Sequence, residues 1–251
     1  MPDESRRRYF QMWEPFRQSL LEEHRFYIEQ GKKKLLSQFE NMEQEATEAG
    51  ERWLQEHEHL FDPDRHDPGE FEENAYEESI EYYKLLSDLR DQIRFSLVAG
   101  MFHSWDKQLR KWLLVELRHL GNGKSAEQKL WAVSFTKIEE LLDGLGLARK
   151  DGACLKKLRA CSYVVNVYKH GDGDSLERLK AEHPEYLRPL FPGEDPLERA
   201  WLNHTHLQVT DVQFEEFSNS IAQFWQSIPE SIDGETAEIP QWLENALRAC
   251  T

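Results

Sequence analysis

Cysteine is scarce in this sequence of 251 residues, which contains only Cys154, Cys161 and Cys250. The first two lie seven residues apart in one predicted helix, a rise of roughly 10 Å along its axis, so they cannot form a disulfide with each other. No two cysteines have the CxxC spacing of a metal site or a redox motif. An odd number of cysteines without such a motif is typical of a reducing compartment, and we expect a cytoplasmic protein.

Long apolar runs are also missing. No segment approaches the roughly 20 apolar residues that a membrane-spanning helix needs, and the polar start MPDESRRR is not followed by the apolar stretch of a signal peptide. We therefore expect neither membrane insertion nor secretion. The sequence lacks a phosphate-binding Gly-rich loop with its Lys-Ser/Thr, a GxSxG turn and an HExxH helix, which argues against the enzyme classes that depend on them.

Positive charge is in short supply, with 31 Lys and Arg residues against 47 Asp and Glu residues and a formal net charge of −16. A chain with this charge repels a polyanion at long range, which argues against non-specific coating of nucleic acid. Screening at physiological salt limits that repulsion to roughly 8 Å. A local basic cluster therefore remains able to hold a short stretch of phosphate backbone.

Glycine and proline are sparse in the first half of the chain, where apolar residues recur at steps of three and four. The pattern predicts one long helix that begins after Pro15 and ends before the turn-forming segment 62–69. It predicts a second from about 73 to 120, ended by Gly121-Asn-Gly123. The predicted core positions are Phe16, Leu20, Ile28, Leu35, Phe39 and Met42 in the first helix and Phe95, Val98, Phe102, Trp105, Leu109 and Trp112 in the second.

Shorter helices are predicted after residue 124. Ser125 and Gln128 have the spacing of a capping box, which predicts a third helix that ends at Gly144-Leu-Gly146. A fourth helix is predicted from about 151 to 168. Its apolar stripe, which we expect to face the core, consists of Cys154, Leu158, Cys161, Val165 and Tyr168.

The last part of the chain is richer in proline and charge and predicts an irregular wrap over 172–203 with one short helix. Residues 206–210 suit a short extended segment, Thr210 suits the N-cap of an amphipathic helix, and a closing helix is predicted over 240–249. The core positions of the helix after Thr210 are Phe214, Phe217, Ile221 and Phe224.

The predicted fold class is all-α: an antiparallel helical bundle with long N-terminal helices and a peripheral C-terminal helical segment. Residues 1–72 form the long N-terminal helix and a linker, and residues 73–171 form the bundle core. Residues 172–251 form the irregular wrap and the C-terminal helices, which we expect to belong to the same globular unit.

A second stripe on the predicted fourth helix is polar and consists of Arg159, Tyr163, Asn166 and His170, separated by steps of four, three and four. Asn166 and His170 lie one turn apart at the helix C-terminus, followed by the glycine-rich turn that starts at Gly171. The helix dipole favours a cationic imidazole at this end, and the glycines permit close approach of a ligand or another backbone. The plainer alternative is that both side chains merely cap the end of the helix.

The segment Asn166-Val-Tyr-Lys-His170 resembles the helix-end signature of the HEPN superfamily, the higher eukaryote and prokaryote nucleotide-binding domains. Asn166 and His170 match the polar and histidine positions of the family, whereas Val165 stands where the family carries its arginine. The resemblance covers roughly residues 80–171. It implies a bundle of four or five helices that forms a homodimer through two helix ends and acts on RNA as a metal-independent ribonuclease, often in bacterial toxin or antiviral systems. Other members are catalytically silent and bind nucleotides or partner proteins.

The resemblance assigns roles to particular residues. His170 is the expected acid or base, Asn166 orients the imidazole or binds a phosphate oxygen, and Lys169 supplies positive charge to the transition state. No cofactor and no metal ion is needed. Arg159 lies about three turns from His170, so we expect it to act only across a two-fold axis, and Tyr163 is an auxiliary binding residue of the same stripe.

Two other sets of residues are weaker candidates. His103 and Asp106 are spaced to meet on the second long helix, where Asp106 can orient His103 or keep it protonated, and they are expected to line the same cleft. The pairs His204 with His206 and His57 with His59 alternate as zinc ligands do, but neither has a third ligand at a recognisable spacing. Asp172 and Asp174 begin like a calcium loop that the following residues do not complete.

Three functions of different kinds follow from these patterns. The first is a HEPN-like ribonuclease or toxin-type effector, and the second is a silent HEPN-like subunit that binds a partner. The third is a helical scaffold that reaches a partner through its long first helix, which predicts a large exposed apolar patch on residues 16–60.

Overall fold

The computed structural model describes residues 8–62, 64–65, 67–118, 123–190, 198–233 and 238–248. The fold class is all-α, as predicted. In chain order the elements are β1 (Arg8–Gln11), α1 (Glu14–Lys34), α2 (Met42–His57), α3 (Pro68–Leu117), α4 (Gly123–Ala132), α5 (Phe135–Gly144), α6 (Ala153–His170), α7 (Asp174–Glu182), α8 (Asp211–Ser227), β2 (Ser231–Asp233) and α9 (Gln241–Arg248). Short 3-10 turns lie at Leu36–Phe39, Glu58–Leu60, Pro184–Tyr186, Glu198–Trp201 and His204–His206.

The chain divides into two compact units. Residues 1–28 and 97–251 form what we call the main unit, and residues 29–96 form what we call the hairpin unit. These bounds differ from the predicted boundaries after residues 72 and 171. The boundary between residues 96 and 97 lies inside α3, which continues without a break, so no turn-forming residues mark it in the sequence.

The hairpin unit is built from α2 and the first part of α3, which run antiparallel. Small residues let the two backbones approach closely: a Cβ added at Gly50 would lie 2.6 Å from the carbonyl oxygen of Ala75 and 2.2 Å from Ser79 Oγ. Further along, the Trp53 ring packs against the Phe71 ring at a centroid distance of 5.9 Å. Compared with the contact of Gly50 with Ala75, this contact lies later in α2 and earlier in α3, as expected for antiparallel helices.

The predicted first long helix was wrong as one element, because the chain leaves the helix after Lys34 and forms a 3-10 turn before α2. Three consecutive lysines form the last residues of α1, where cations interact favourably with the helix dipole. Leu20, Ile28 and Met42 are buried as predicted. Phe16 and Leu35 are not core residues, since 38% and 44% of their surfaces are exposed.

The core of the main unit lies among α3, α6 and α8. All six apolar positions predicted for the second long helix are buried, and so are all four predicted for α8. The Trp105 ring meets the edge of the Phe224 ring at 5.1 Å, and the Trp112 ring meets that of Trp225 at 6.2 Å. Buried aromatic pairs of this kind contribute about 0.5–1.5 kcal/mol beyond the area they remove from water. They hold α3 and α8 together.

The start of α8 and the termini of the main unit are also fixed by hydrogen bonds. Thr210 caps α8 as predicted, and its hydroxyl accepts from the Gln213 amide while the Gln213 side chain accepts from the Thr210 amide. β1 pairs with β2 in an antiparallel ladder in which Phe10 is opposite Ile232. On α1, His24 Nε2 lies 3.0 Å from both the carbonyl oxygen and the hydroxyl of Ser218 in α8.

Other predicted elements were displaced or divided. The predicted third helix is two helices, α4 and α5, and Ser125 lies inside α4 rather than at its cap. The predicted helix 151–168 is α6, shifted two residues toward the C-terminus. The 172–203 segment contains α7, and Leu207 forms an isolated antiparallel bridge with Leu187. The Gly121-Asn122 stop and Cys250 lie outside the described residues.

Within the described ranges, no helix is both long enough and apolar enough to cross a bilayer.

Candidate functional site

The last turn of α6 presents three polar side chains to solvent: Asn166, Lys169 and His170 are all exposed. Among the described residues, no hydrogen-bond partner is found for the Asn166 amide or the His170 imidazole, so neither side chain caps the helix. Gly171 ends α6 with a φ of 74° and donates its backbone N–H to the carbonyl oxygen of Val167 at 2.8 Å. This positive φ favours glycine, which ends the helix here.

The opposite face of the same turn is packed. Val165, which occupies the place of the family's arginine, is 2% exposed and faces the core, as do Leu158 and Cys161. An arginine side chain at position 165 would therefore point into the bundle and away from Asn166 and His170. Burial raises the pKa of both described thiols, that of Cys154 to about 11, which leaves neither cysteine as a nucleophile near neutral pH.

His103 on α3 shares the surroundings of Lys169. Its side chain is half-buried, and its pKa is lowered first by burial and next by the positive charge of Lys169. The charge of Lys169 on α6 therefore acts on His103 on α3, although the two residues are far apart in the sequence. The structure thus brings two predicted site residues from distant parts of the sequence to the same end of the bundle.

Asp106 does not orient His103. Its Oδ2 accepts from Arg110 Nε at 2.8 Å, and Arg110 also donates to the carbonyl oxygens of Leu130 and Val133. The negative charge of Asp106 does raise the pKa of His103, but burial and Lys169 outweigh it and the pKa is lowered overall. Asp106 is paired with the buried guanidinium of Arg110, and its role in keeping His103 protonated stays a prediction.

Arg159 and Tyr163 are half-buried, unlike the other two residues of the polar stripe, which are exposed. Arg159 Nε donates to both carboxylate oxygens of Glu139 at 2.9 and 3.1 Å, and Nη2 donates to the carbonyl oxygen of Lys150. In the single chain Arg159 is engaged by Glu139 and Lys150, and its reach across a two-fold axis stays a prediction. Tyr163 is half-buried with its ring beside that of His183, and burial raises its pKa.

The two alternating histidine pairs are engaged in local contacts. His206 Nδ1 accepts from the backbone N–H of Asn203 at 3.2 Å, which completes a capping box of the turn that it ends. His57 Nδ1 lies 2.8 Å from the carbonyl oxygen of Trp53, and the two rings stack. In the part of the chain that the structure describes, no group of three or more His, Cys, Asp or Glu side chains is placed to hold a metal ion.

Sequence reasoning missed one contact beside the exposed pair. Asp172, two residues after His170, meets His204, and Asp172 Oδ1 accepts from both the backbone N–H and the Nδ1–H of His204. Asp172 and His204 are 32 positions apart, and the segment between them includes α7 and residues 191–197, which lie outside the described residues. Predicting this contact from the sequence would have required two steps. Asp172 had to be recognised as following the end of α6, and the chain had to be known to return to that end at His204.

The fold and these contacts define an all-α helical bundle with an exposed polar cluster at the end of α6. No family model, curated protein or solved structure matches the chain.

Proposed function

We propose that this protein is a HEPN-like helical bundle that cleaves RNA without a metal ion, with His170, Asn166 and Lys169 as its catalytic residues. One observation carries the proposal: the Asn166 amide and the His170 imidazole stand exposed one turn apart. A pair that was buried and hydrogen-bonded to the main chain could not reach a substrate, and the proposal would then have no chemistry.

The proposed reaction moves protons and displaces an alcohol. The ribose 2′-oxygen attacks the adjacent phosphorus after losing its proton, and the 5′-oxygen leaves with a proton from an acid. His170 exchanges a proton with one of these oxygens. Asn166 donates to a phosphate oxygen, and the Lys169 ammonium balances the charge that develops on the phosphorane. Lys169 is exposed, which suits a residue that must meet a polyanion.

We further propose that the protein acts in the cytoplasm as a homodimeric, toxin-type effector in bacterial antiviral defence. This context rests on the resemblance of the Asn166–His170 segment to the helix-end signature of the HEPN superfamily. It predicts that induced expression in bacteria arrests growth and that His170→Ala relieves the arrest at equal protein level.

The direct test is incubation of the purified protein with end-labelled RNA in the presence of a chelator. We expect cleavage by the wild type and a loss of about 100-fold or more for His170→Ala and for Asn166→Ala, the range typical of a missing acid–base group. Lys156→Ala is the matched control, because Lys156 is an exposed cation on the same helix near its other end. Absence of cleavage by the wild type with every RNA tested would reject the nuclease.

A second candidate function is that of a catalytically silent HEPN-like subunit that binds a partner protein. The burial of Val165 favours it, because no arginine stands beside Asn166. So does a stripe on α3 in the hairpin unit, where Tyr76, Ile80 and Tyr83 recur at helical spacing with 67%, 51% and 39% of their surfaces exposed. This candidate predicts no RNA cleavage, together with self-association that Ile80→Glu abolishes in sedimentation experiments.

A further inference from the structure

Asp172 and His204 form a carboxylate–imidazole pair in the main unit. Asp172 Oδ1 accepts from the backbone N–H of His204 at 2.7 Å and lies 3.0 Å from its Nδ1. Roughly half of each side chain is exposed, at 57% for Asp172 and 51% for His204. The pair is therefore ordered by two hydrogen bonds and open to solvent at the same time.

The hydrogen bond fixes which nitrogen of His204 carries the hydrogen. A carboxylate can only accept, so Nδ1 is the donor and the neutral ring presents the lone pair of Nε2. The two hydrogen bonds from His204 lower the pKa of Asp172, which keeps it ionised near neutral pH. An ionised aspartate behind Nδ1 also stabilises the imidazolium that forms when Nε2 takes up a proton, as in hydrolytic triads.

The His204 ring lies against the end of α6. A Cβ added at Gly171 would be 3.7 Å from His204 Nδ1 and 3.8 Å from Cγ, so the ring packs beside the residue that follows His170. Consecutive Cα atoms are about 3.8 Å apart. His204, 34 positions after His170 in the sequence, therefore lies at the same helix end as His170.

The charges around this pair are of both signs. Lys180 on α7 lies close enough for its ammonium to lower the pKa of Asp172, and Lys169 precedes His170 on α6. Lys180 donates to Glu177 Oε1 at 2.8 Å, so its charge is partly balanced. A phosphodiester that enters between the two histidines therefore meets positive charge on α6 and α7 as well as the carboxylate of Asp172.

We propose that His204 is the general base and His170 the general acid of one acid–base pair, with Asp172 as the positioning residue. This assignment rests on the proposed ribonuclease function and deepens it. His204 Nε2 takes the proton of the ribose 2′-hydroxyl while the bond from the 2′-oxygen to phosphorus forms. The bond from phosphorus to the 5′-oxygen breaks, and His170 gives its proton to that oxygen. The products are a 2′,3′-cyclic phosphate and a 5′-hydroxyl, and water restores both protonation states.

The division of roles follows from the surroundings of each ring. His170 acts as the acid, and its ring lies at the C-terminus of α6, where the carbonyl groups of the helix favour a positive charge. His204 becomes the cation only after it takes up the proton, when Asp172 stabilises it. His103 is less suited to either role, because burial lowers its pKa and its neighbour Asp106 is bound to Arg110.

The experiment compares two RNA substrates that share one cleavable linkage, one natural and one with sulfur in place of the bridging 5′-oxygen. A thiolate leaves without a proton, since thiols have a pKa of about 8.5. On natural RNA we expect His204→Ala and His170→Ala each to lose about 100-fold or more in kcat/KM. On the sulfur substrate we expect His170→Ala to recover to within about 10-fold of the wild type and His204→Ala to remain inactive.

Two further variants separate chemistry from structure. His206→Ala removes a histidine from the same 3-10 turn and should retain wild-type activity, which shows that disturbing the turn is not enough to stop cleavage. Asp172→Asn should move the acidic limb of the pH profile of kcat/KM to lower pH, because the His204 imidazolium loses its carboxylate. A merely structural role for Asp172 would lower activity without moving that limb.

The outcomes are distinguishable. Cleavage by the wild type, loss in His170→Ala and activity within about 3-fold of the wild type in His204→Ala would overturn the assignment while the ribonuclease stands. Recovery of His204→Ala on the sulfur substrate would also overturn it, because His204 would then be the acid. No cleavage of either substrate by the wild type rejects the ribonuclease and the acid–base pair together. Circular dichroism of each variant confirms that it is folded.

Discussion

Arg159 on α6 donates to both carboxylate oxygens of Glu139 on α5, a residue with no solvent exposure. Burial raises the pKa of Glu139, and the positive charge of Arg159 opposes that effect. Arg159 also holds the carbonyl oxygen of Lys150, in the connection between the two helices. The pair therefore fixes the loop that precedes α6 and holds the guanidinium within its own chain.

We expect Arg159→Met to destabilise the protein by about 3–5 kcal/mol, because it leaves a buried carboxylate without its counter-charge. Urea unfolding followed by circular dichroism measures the effect. The matched variant is Glu139→Leu/Arg159→Met, in which both charges are replaced by apolar groups. It should regain most of the loss, and a double variant as unstable as Arg159→Met alone would show that packing rather than charge dominates.

Lys169 lowers the pKa of His103, so removing its charge should raise that pKa. The variant is Lys169→Gln, and the measurement is an NMR titration of the His103 ring protons. Lys156→Gln, farther back along α6, is the control and should leave the titration unchanged. If Lys169→Gln has no effect either, the two residues do not share one site, and His103 has no part in it.

Protonation of His24 should destabilise the protein. Burial lowers its pKa in the folded state, although the hydrogen bond to the Ser218 carbonyl partly opposes the shift. The unfolded chain, with a pKa of about 6.5, then takes up a proton at higher pH than the folded chain does. This part of the stability is therefore present above about pH 6.5 and is lost as pH falls below it.

The test is the free energy of unfolding between about pH 7.5 and 5.5. His24→Gln, which keeps a donor for Ser218 but cannot titrate, should flatten the decline. His103 also has a lowered pKa, so His24→Gln should leave a residual slope that His24→Gln/His103→Gln removes. An unchanged slope in both variants would place the titrating groups elsewhere.

The hairpin unit depends on the absence of a side chain at Gly50. A Cβ there would lie 2.2 Å from Ser79 Oγ and 2.6 Å from the carbonyl oxygen of Ala75. We expect Gly50→Ala to separate α2 from α3 and to cost about 1–3 kcal/mol, the usual penalty of overpacking. Hydrogen exchange across residues 29–96 measures it.

Gly69→Ala is the matched control in the same unit, because its Cβ would meet Asp67 Oδ1 at 3.4 Å, an ordinary contact. Gly50→Ala/Ser79→Ala should recover only part of the loss, since the Ala75 carbonyl stays in place. Equal exchange rates in Gly50→Ala and the wild type would contradict the close approach of the two helices.

The helical spacing of apolar residues predicted the buried faces of α3 and α8 and the position of α6, because many apolar residues in each helix follow the same spacing. The chain breaks after Lys34 and at Val133-Ser134 were not predicted, since neither place carries a glycine or proline. Local spacing also suggested that Asp106 orients His103. Arg110 takes the carboxylate instead because its guanidinium is buried and must be paired, which a count of positions along one helix cannot reveal.

The candidate site was predictable only where it is local. Asn166, Lys169 and His170 lie within five residues of one helix, so their common position followed from the sequence. Asp172 and His204 meet only because the segment between them returns to the end of α6. Contacts of this kind depend on tertiary packing, and one sequence contains no signal for them.

The exposure of the last turn of α6 affects how the sequence can change in evolution. Asn166, Lys169 and His170 add little to the packing of the bundle, so exchanging any of them leaves the scaffold intact. If these three residues are catalytic, as proposed, a single codon change can abolish catalysis while the helices persist, and selection for folding alone would not remove the variant. Active and inactive variants would then have the same melting temperature and would differ only in the residues at the end of α6.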